Sequence, residues 1–153
     1  MTLPAELQSD MRLSPALRGS YGVFPPGLNL DELAVAKMLD ADDQVLWWHR
    51  NPSGRADGVG LYRWDEGSGF YPDFIVALRE RQTPGGIALL EVKGDHLRGL
   101  ASEVDKAGAA HPLYGTVFMA GRRRGQVGFV HLRRLLDRLE PDGEFSVNRL
   151  RFV

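Results

Sequence analysis

Apolar positions change period several times along the chain, and each change marks an element. Leu30, Leu33, Ala34 and Met38 recur at helical spacing, so a helix is expected over roughly 30–40 with those four as its buried stripe. Asn29 stands at the N-cap, and Glu32 three residues later completes a capping-box pattern. Gln44 to His49 reads as a strand ended by Asn51-Pro52-Ser53-Gly54, and Val59 to Trp64 as a shorter second one. Two central strands are expected near 70–78 and 86–93, joined across Pro84-Gly85-Gly86. Ile87-Ala88-Leu89-Leu90 is apolar on both faces, the pattern of a strand covered from above and below.

The second half continues with a helix over about 98–110, carrying Leu100, Val104 and Ala107 on one side. Thr116 to Ala120 is another buried strand, and Val127 to Val130 a short one leading into a helix through about Leu139. Phe145 to Val153 reads as a closing strand or a tail. Residues 1–27 lack periodicity and are punctuated by proline and glycine. They read as a leader or linker remnant with one short helix near Pro15-Ala16-Leu17, ahead of a single domain over 28–153. Helices interleaved with two-sided apolar strands imply an α/β sheet with helices on each face.

Composition narrows the classes. A chain of 153 residues with 43% hydrophobic content suits one domain with a real core. No run approaches the ~18 apolar residues of a membrane span, and the first residues lack a secretory signal. The absence of cysteine excludes disulfides and thiolate metal sites and fits a cytoplasmic protein. His49, His96, His111 and His131 fall in no zinc-binding spacing. A net charge of -1 is unlike a nucleic-acid binder on average, but the distribution is uneven. Residues 122–151 carry eight basic and four acidic groups, while 1–121 carry 11 basic and 16 acidic. A basic section on an acidic body can meet phosphates while the acidic part holds metal, and a solvated helix face with a charged loop explains it equally well.

The candidate chemistry lies on the central strands. Asp73 follows Pro72 at the mouth of an apolar strand, and Glu91 and Lys93, two residues apart, share one face of the next. If the strands pair, Asp73 lies beside Glu91. Magnesium prefers oxygen ligands, which Asp73, Glu91 and the Val92 carbonyl supply. Lys93 can orient or deprotonate a water, or offset charge on a phosphate. A strand-edge aspartate and a solvated Glu-x-Lys pair remain the competing explanation. Charges set among Phe74, Ile75, Leu89, Leu90 and Val92 need partners, and a metal is a simple one. Arg50 and Asn51, in the loop after the first strand, and the triplet Arg122-Arg123-Arg124, between glycines, are candidate phosphate contacts. Trp47 and Trp48 fall on opposite faces, so at least one belongs to the core.

Four blocks in order resemble the PD-(D/E)XK, or restriction-endonuclease-like, nucleases. They are Trp48-His49-Arg50-Asn51-Pro52, Phe70 to Val76 around Pro72-Asp73, Leu89 to Asp95 around Glu91-Val92-Lys93, and Asp105-Lys106-Ala107. The context looks most like the C-terminal nuclease domain of type III restriction enzymes and related helicase–nucleases. This resemblance implies a three-layer α/β/α sandwich with a central mixed sheet and magnesium dependence, with manganese as a substitute. It also implies DNA cleavage by Asp73, Glu91 and Lys93, with Glu32 as an extra acidic residue of the site. Glu32 has the rival role of helix cap, and Lys106 is either a rim contact to DNA or half of a solvated helix pair. Such nucleases usually follow an ATP-dependent helicase or translocase, yet the chain has no GxxxxGK[ST] loop. A domain fragment or a partnered subunit is therefore expected. A catalytically inactive nucleic-acid-binding or docking module of the same fold is the alternative.

Overall fold

Asn29 opens the first element as a reciprocal cap: its side chain accepts from the Glu32 N–H at 2.8 Å while Glu32 accepts from the Asn29 N–H at 3.1 Å. A computed structural model of the chain describes residues 13–52, 61–62, 69–70, 72–94, 110–123, 128–136 and 138–153. Helix α1, Leu30–Ala41, turns Glu32, Val35, Ala36 and Leu39 inward, at the i, i+3, i+4, i+7 spacing of one face. The expected stripe is thus rotated. Leu30 is 82% exposed, and Ala34 and Met38 only flank the core. The reason is Glu32, which can occupy the inner face because both its oxygens find partners.

The strands are β1 Val45–Arg50, β2 Leu61–Tyr62, β3 Gly69–Phe70, β4 Phe74–Leu78, β5 Ile87–Lys93, β6 Ala110–His111, β7 Gly115–Arg122, β8 Phe129–Leu135 and β9 Arg138–Glu144. A seven-stranded mixed sheet runs β1-β4-β5-β7-β8-β9, with β6 attached to β7, while β2 and β3 pair separately. Among the paired strands of the described residues, β5 and β7 run parallel, with Leu90 beside Phe118 and Val92 beside Ala120. A parallel pair needs a crossover of a dozen or more residues, which the chain between Lys93 and Gly115 supplies. The helix expected over 98–110 lies outside the described residues except for Ala110, which belongs to β6.

Both faces of the sheet carry apolar side chains. Val35 and Leu39 of α1 share a core with Trp48, Phe74, Val76, Leu90 and Val92. Ile75, Leu89 and Val117 cluster on the opposite face, as do Met119, Val130, Leu132 and Leu139. Phe74, Val76 and Leu90 have no exposed surface, and each contributes about 1.5–3 kcal/mol of burial. Between β4 and β5 the chain turns at Gly86, φ 69, where a Cβ would stand 2.4 Å from the Leu78 carbonyl oxygen, so only glycine fits.

Three expected elements differ. Residues 131–135 and 138–144 form the β8–β9 hairpin, where the sequence suggests a helix through Leu139. Leucine and arginine favour helix locally, but as strands they set Arg133 opposite Glu140 and bury Leu132 and Leu139 against Met119. After Phe145 the chain forms neither strand nor loose tail. It makes a short 3-10 helix, Val147–Arg151, that seats Val147 and Leu150 in the α1-side core. Near Pro15 there is an isolated bridge to Val23 rather than a helix.

Residues 13–28 lie against the body. Asp40 accepts the N–H groups of Leu17 and Arg18, at 2.9 and 2.7 Å, and the Trp48 indole N–H at 3.0 Å. Burial works against this carboxylate's charge, yet donation from Arg18, Leu17 and Trp48 prevails and holds its pKa below the usual range. Among the described residues, no helix is long and apolar enough to cross a membrane.

Candidate functional site

β4 and β5 pair antiparallel with Phe74 opposite Leu90, so one further step of the same register sets Asp73 against Glu91. The ladder ends at that point, and Asp73 turns its carboxylate to the backbone. Its Oδ2 accepts the Val92 N–H at 2.8 Å. Val92 therefore meets Asp73 through its amide, and its side chain is 8% exposed within the α1-side core.

Glu91 and Lys93 alternate onto one face, as their spacing requires, with Lys93 Nζ 3.3 Å from Glu91 Oε1. Both are buried, at 4% and 6% exposure. A buried ion pair is weak evidence of stability, because desolvation offsets most of the attraction. The pair stands at the C-terminal end of β5.

Arg50 closes β1, opposite Phe74 on the face that α1 covers. Its Nη2 lies 2.8 Å from Glu32 Oε2. Nη1 donates to the Asn51 and Asp73 carbonyls at 2.8 and 3.2 Å and sits 3.6 Å from Asp73 Oδ1. Asn51 is 1% exposed. Its N–H donates to the Asp73 carbonyl at 2.8 Å and its side-chain amide to the Pro72 carbonyl at 2.9 Å. The side chain is thus a strut that fixes the Pro72-Asp73 step rather than an amide presented to solvent.

Two sub-clusters result. Glu32 and Arg50 stand on the α1 face, whereas alternation puts Glu91 and Lys93 on the other with Leu89 and Ile75. Asp73, at the strand mouth, meets Arg50 at 3.6 Å and the Val92 N–H at 2.8 Å. Among the described residues, no three His, Asp or Glu side chains gather closely enough to hold a metal together. Glu32 is engaged by Arg50 and by the Asn29 N–H.

The basic rim is partly internal as well. Arg122, at the end of β7, donates Nε and Nη2 to Asp31 Oδ1 at 2.8 and 2.7 Å and lies 4.9 Å from the Phe129 ring centroid. It thereby joins β7 to the first turn of α1. Arg123 donates its backbone N–H to the Gly128 carbonyl at 2.9 Å. Arg124 and Lys106 lie outside the described residues. Of the tryptophans, Trp48 is core at 1% exposure and Trp47 is 40% exposed. The bridging role of Arg50 has no signal in the sequence, since it depends on α1 and β1 meeting in space. Comparison with family models, with curated proteins and with solved structures returns no match.

Proposed function

We propose that this chain is a magnesium-dependent DNA nuclease of restriction-endonuclease-like build, a three-layer α/β/α sandwich whose site is Asp73, Glu91 and Lys93. The observation that carries the reading is their placement. Asp73 is fixed on the Val92 N–H at 2.8 Å, one register step beyond the Phe74–Leu90 pair and so on the Glu91 side, and Glu91 has Lys93 3.3 Å away. The donor set fits a hard divalent cation, because two carboxylates are the number magnesium commonly takes while keeping its waters. Asp73 and Glu91 would hold it, and manganese would substitute. When bound, the ion supplies Lewis acidity toward a phosphoryl oxygen and a water of lowered pKa.

The chain's own residues do the rest. The Val92 N–H orients Asp73, and the Lys93 ammonium offsets charge where a phosphate approaches Glu91. Arg122, Arg123, Arg124 and Lys106 would meet flanking phosphates, and an ATP-driven helicase or translocase module would deliver the DNA. A cytoplasmic setting belongs to the same reading.

One observation favours a second reading, a docking module that binds nucleic acid without cutting it. The described acids already face protein cations, Arg50 at Glu32 and Asp73, Lys93 at Glu91. A plasmid-nicking assay with magnesium separates the two. The nuclease reading expects nicking in the wild type and a loss of at least about a hundredfold in Asp73→Ala and Lys93→Ala. DNA binding without nicking, unchanged by either substitution, would establish the module instead.

A further inference from the structure

Arg50 joins Glu32 to Asp73. Its Nη2 is 2.8 Å from Glu32 Oε2, while Nη1 donates to the Asp73 carbonyl at 3.2 Å and sits 3.6 Å from Asp73 Oδ1. On the metal reading given above, we propose that Arg50 is a positioning residue that governs cation binding at Asp73, and that Glu32 is its anchor rather than a ligand.

Glu32 is committed on both oxygens. Oε1 accepts the Asn29 N–H at 3.1 Å and Oε2 holds Arg50, and the side chain is 8% exposed. It also stands on the α1 face, while Glu91 and Lys93 stand on the other. Asp73 is committed on one oxygen only: Oδ2 has the Val92 N–H, and Oδ1 points toward Arg50. The planar guanidinium serves both partners, one arm on Glu32 and the other on the loop carbonyls of Asn51 and Asp73. An ammonium has no such fork.

The consequence is electrostatic. Arg50 carries the same sign as an incoming cation, so its distance from Asp73 sets how strongly that cation is repelled. Glu32 holds the guanidinium back. Loosening the anchor lets the positive charge settle on Asp73 and weakens metal binding, whereas deleting the charge strengthens it.

Titration of MnCl2 into the full chain, followed by loss of the free-ion EPR signal, tests the sign pattern. Glu32→Gln should weaken Mn2+ binding by about three- to tenfold and Arg50→Gln should tighten it by a similar factor. The double variant should behave as Arg50→Gln alone. Weakening by Glu32→Gln in both backgrounds would make Glu32 a ligand and overturn the proposal. Unchanged or weaker binding in Arg50→Gln would overturn it equally. Glutamine keeps an acceptor for the Asn29 N–H, so the cap survives Glu32→Gln, and the double variant leaves no unpaired buried carboxylate. Should Arg50→Gln alone fail to fold, tighter binding in the double variant than in Glu32→Gln supports the proposal, and equal or weaker binding overturns it. Absence of Mn2+ uptake by the wild type is a separate result that removes the metal reading, and this one with it.

Discussion

His131 sits in the core at 2% exposure, with its ring 4.9 Å from that of Phe145 and the Ser146 N–H donating to Nε2 at 3.0 Å. Burial, helped by the positive charge of Arg149, lowers its pKa from 6.5 to about 4. The native state refuses a proton that the unfolded chain accepts. Its contribution to stability is therefore full above about pH 6.5 and is lost progressively as pH falls to about 4. Urea unfolding between pH 7.5 and 4.5 should show the wild type losing on the order of 2–3 kcal/mol more than His131→Phe. Parallel losses in the two proteins would refute the assignment. Nothing in the sequence marks this histidine, since His131 follows Phe129 and Val130 in a run that favours helix locally. Glu91 and Lys93 were legible because strand alternation alone places them together. Glu32 was legible as a cap but not as part of the buried face, because an acid there makes sense only once Arg50 is beside it.

Elements with a strong local signature were readable: α1 from its cap, and β4, β5 and β7 from apolar runs too short for helices. The β8–β9 hairpin was not, because its residues favour helix and only the edge of the sheet offers them partners. That conflict leaves a trace at Leu136. In the connection between the two strands it takes φ 58 with 83% of its surface exposed. A leucine in the left-handed region is strained and here buries little in return. Leu136→Asn or Leu136→Gly should stabilise the protein by about 0.5–1 kcal/mol in thermal or urea unfolding. A loss of stability would show that the leucine makes contacts worth more than its strain.

At the scale of the molecule, Arg81 joins segments far apart in the chain. Buried at 4% exposure, it donates to the Ile87 carbonyl at 2.8 Å, to the Leu150 and Phe152 carbonyls at 2.7 Å each, and to that of Tyr114. Among the described residues no carboxylate pairs with it, and burial lowers its pKa. Arg81→Met would leave those carbonyls without a donor and should cost about 3–5 kcal/mol in chemical denaturation, with Arg81→Lys recovering only part. Full recovery by lysine would mean that charge, not the fork, matters. No sequence pattern reveals a contact between residues 69 and 71 positions apart, which is why the closing segment read as strand or tail. The two outer strands carry one more implication. Along β1, Trp48 N–H donates to the Arg18 carbonyl and Ser20 N–H to that of Trp48, so that margin is occupied. Along β9, Pro141 lacks a donor and Glu140, Asp142 and Glu144 add negative charge. Extension of the sheet by a foreign peptide is discouraged at either border, so an associating macromolecule has to grip this protein through side chains and loops.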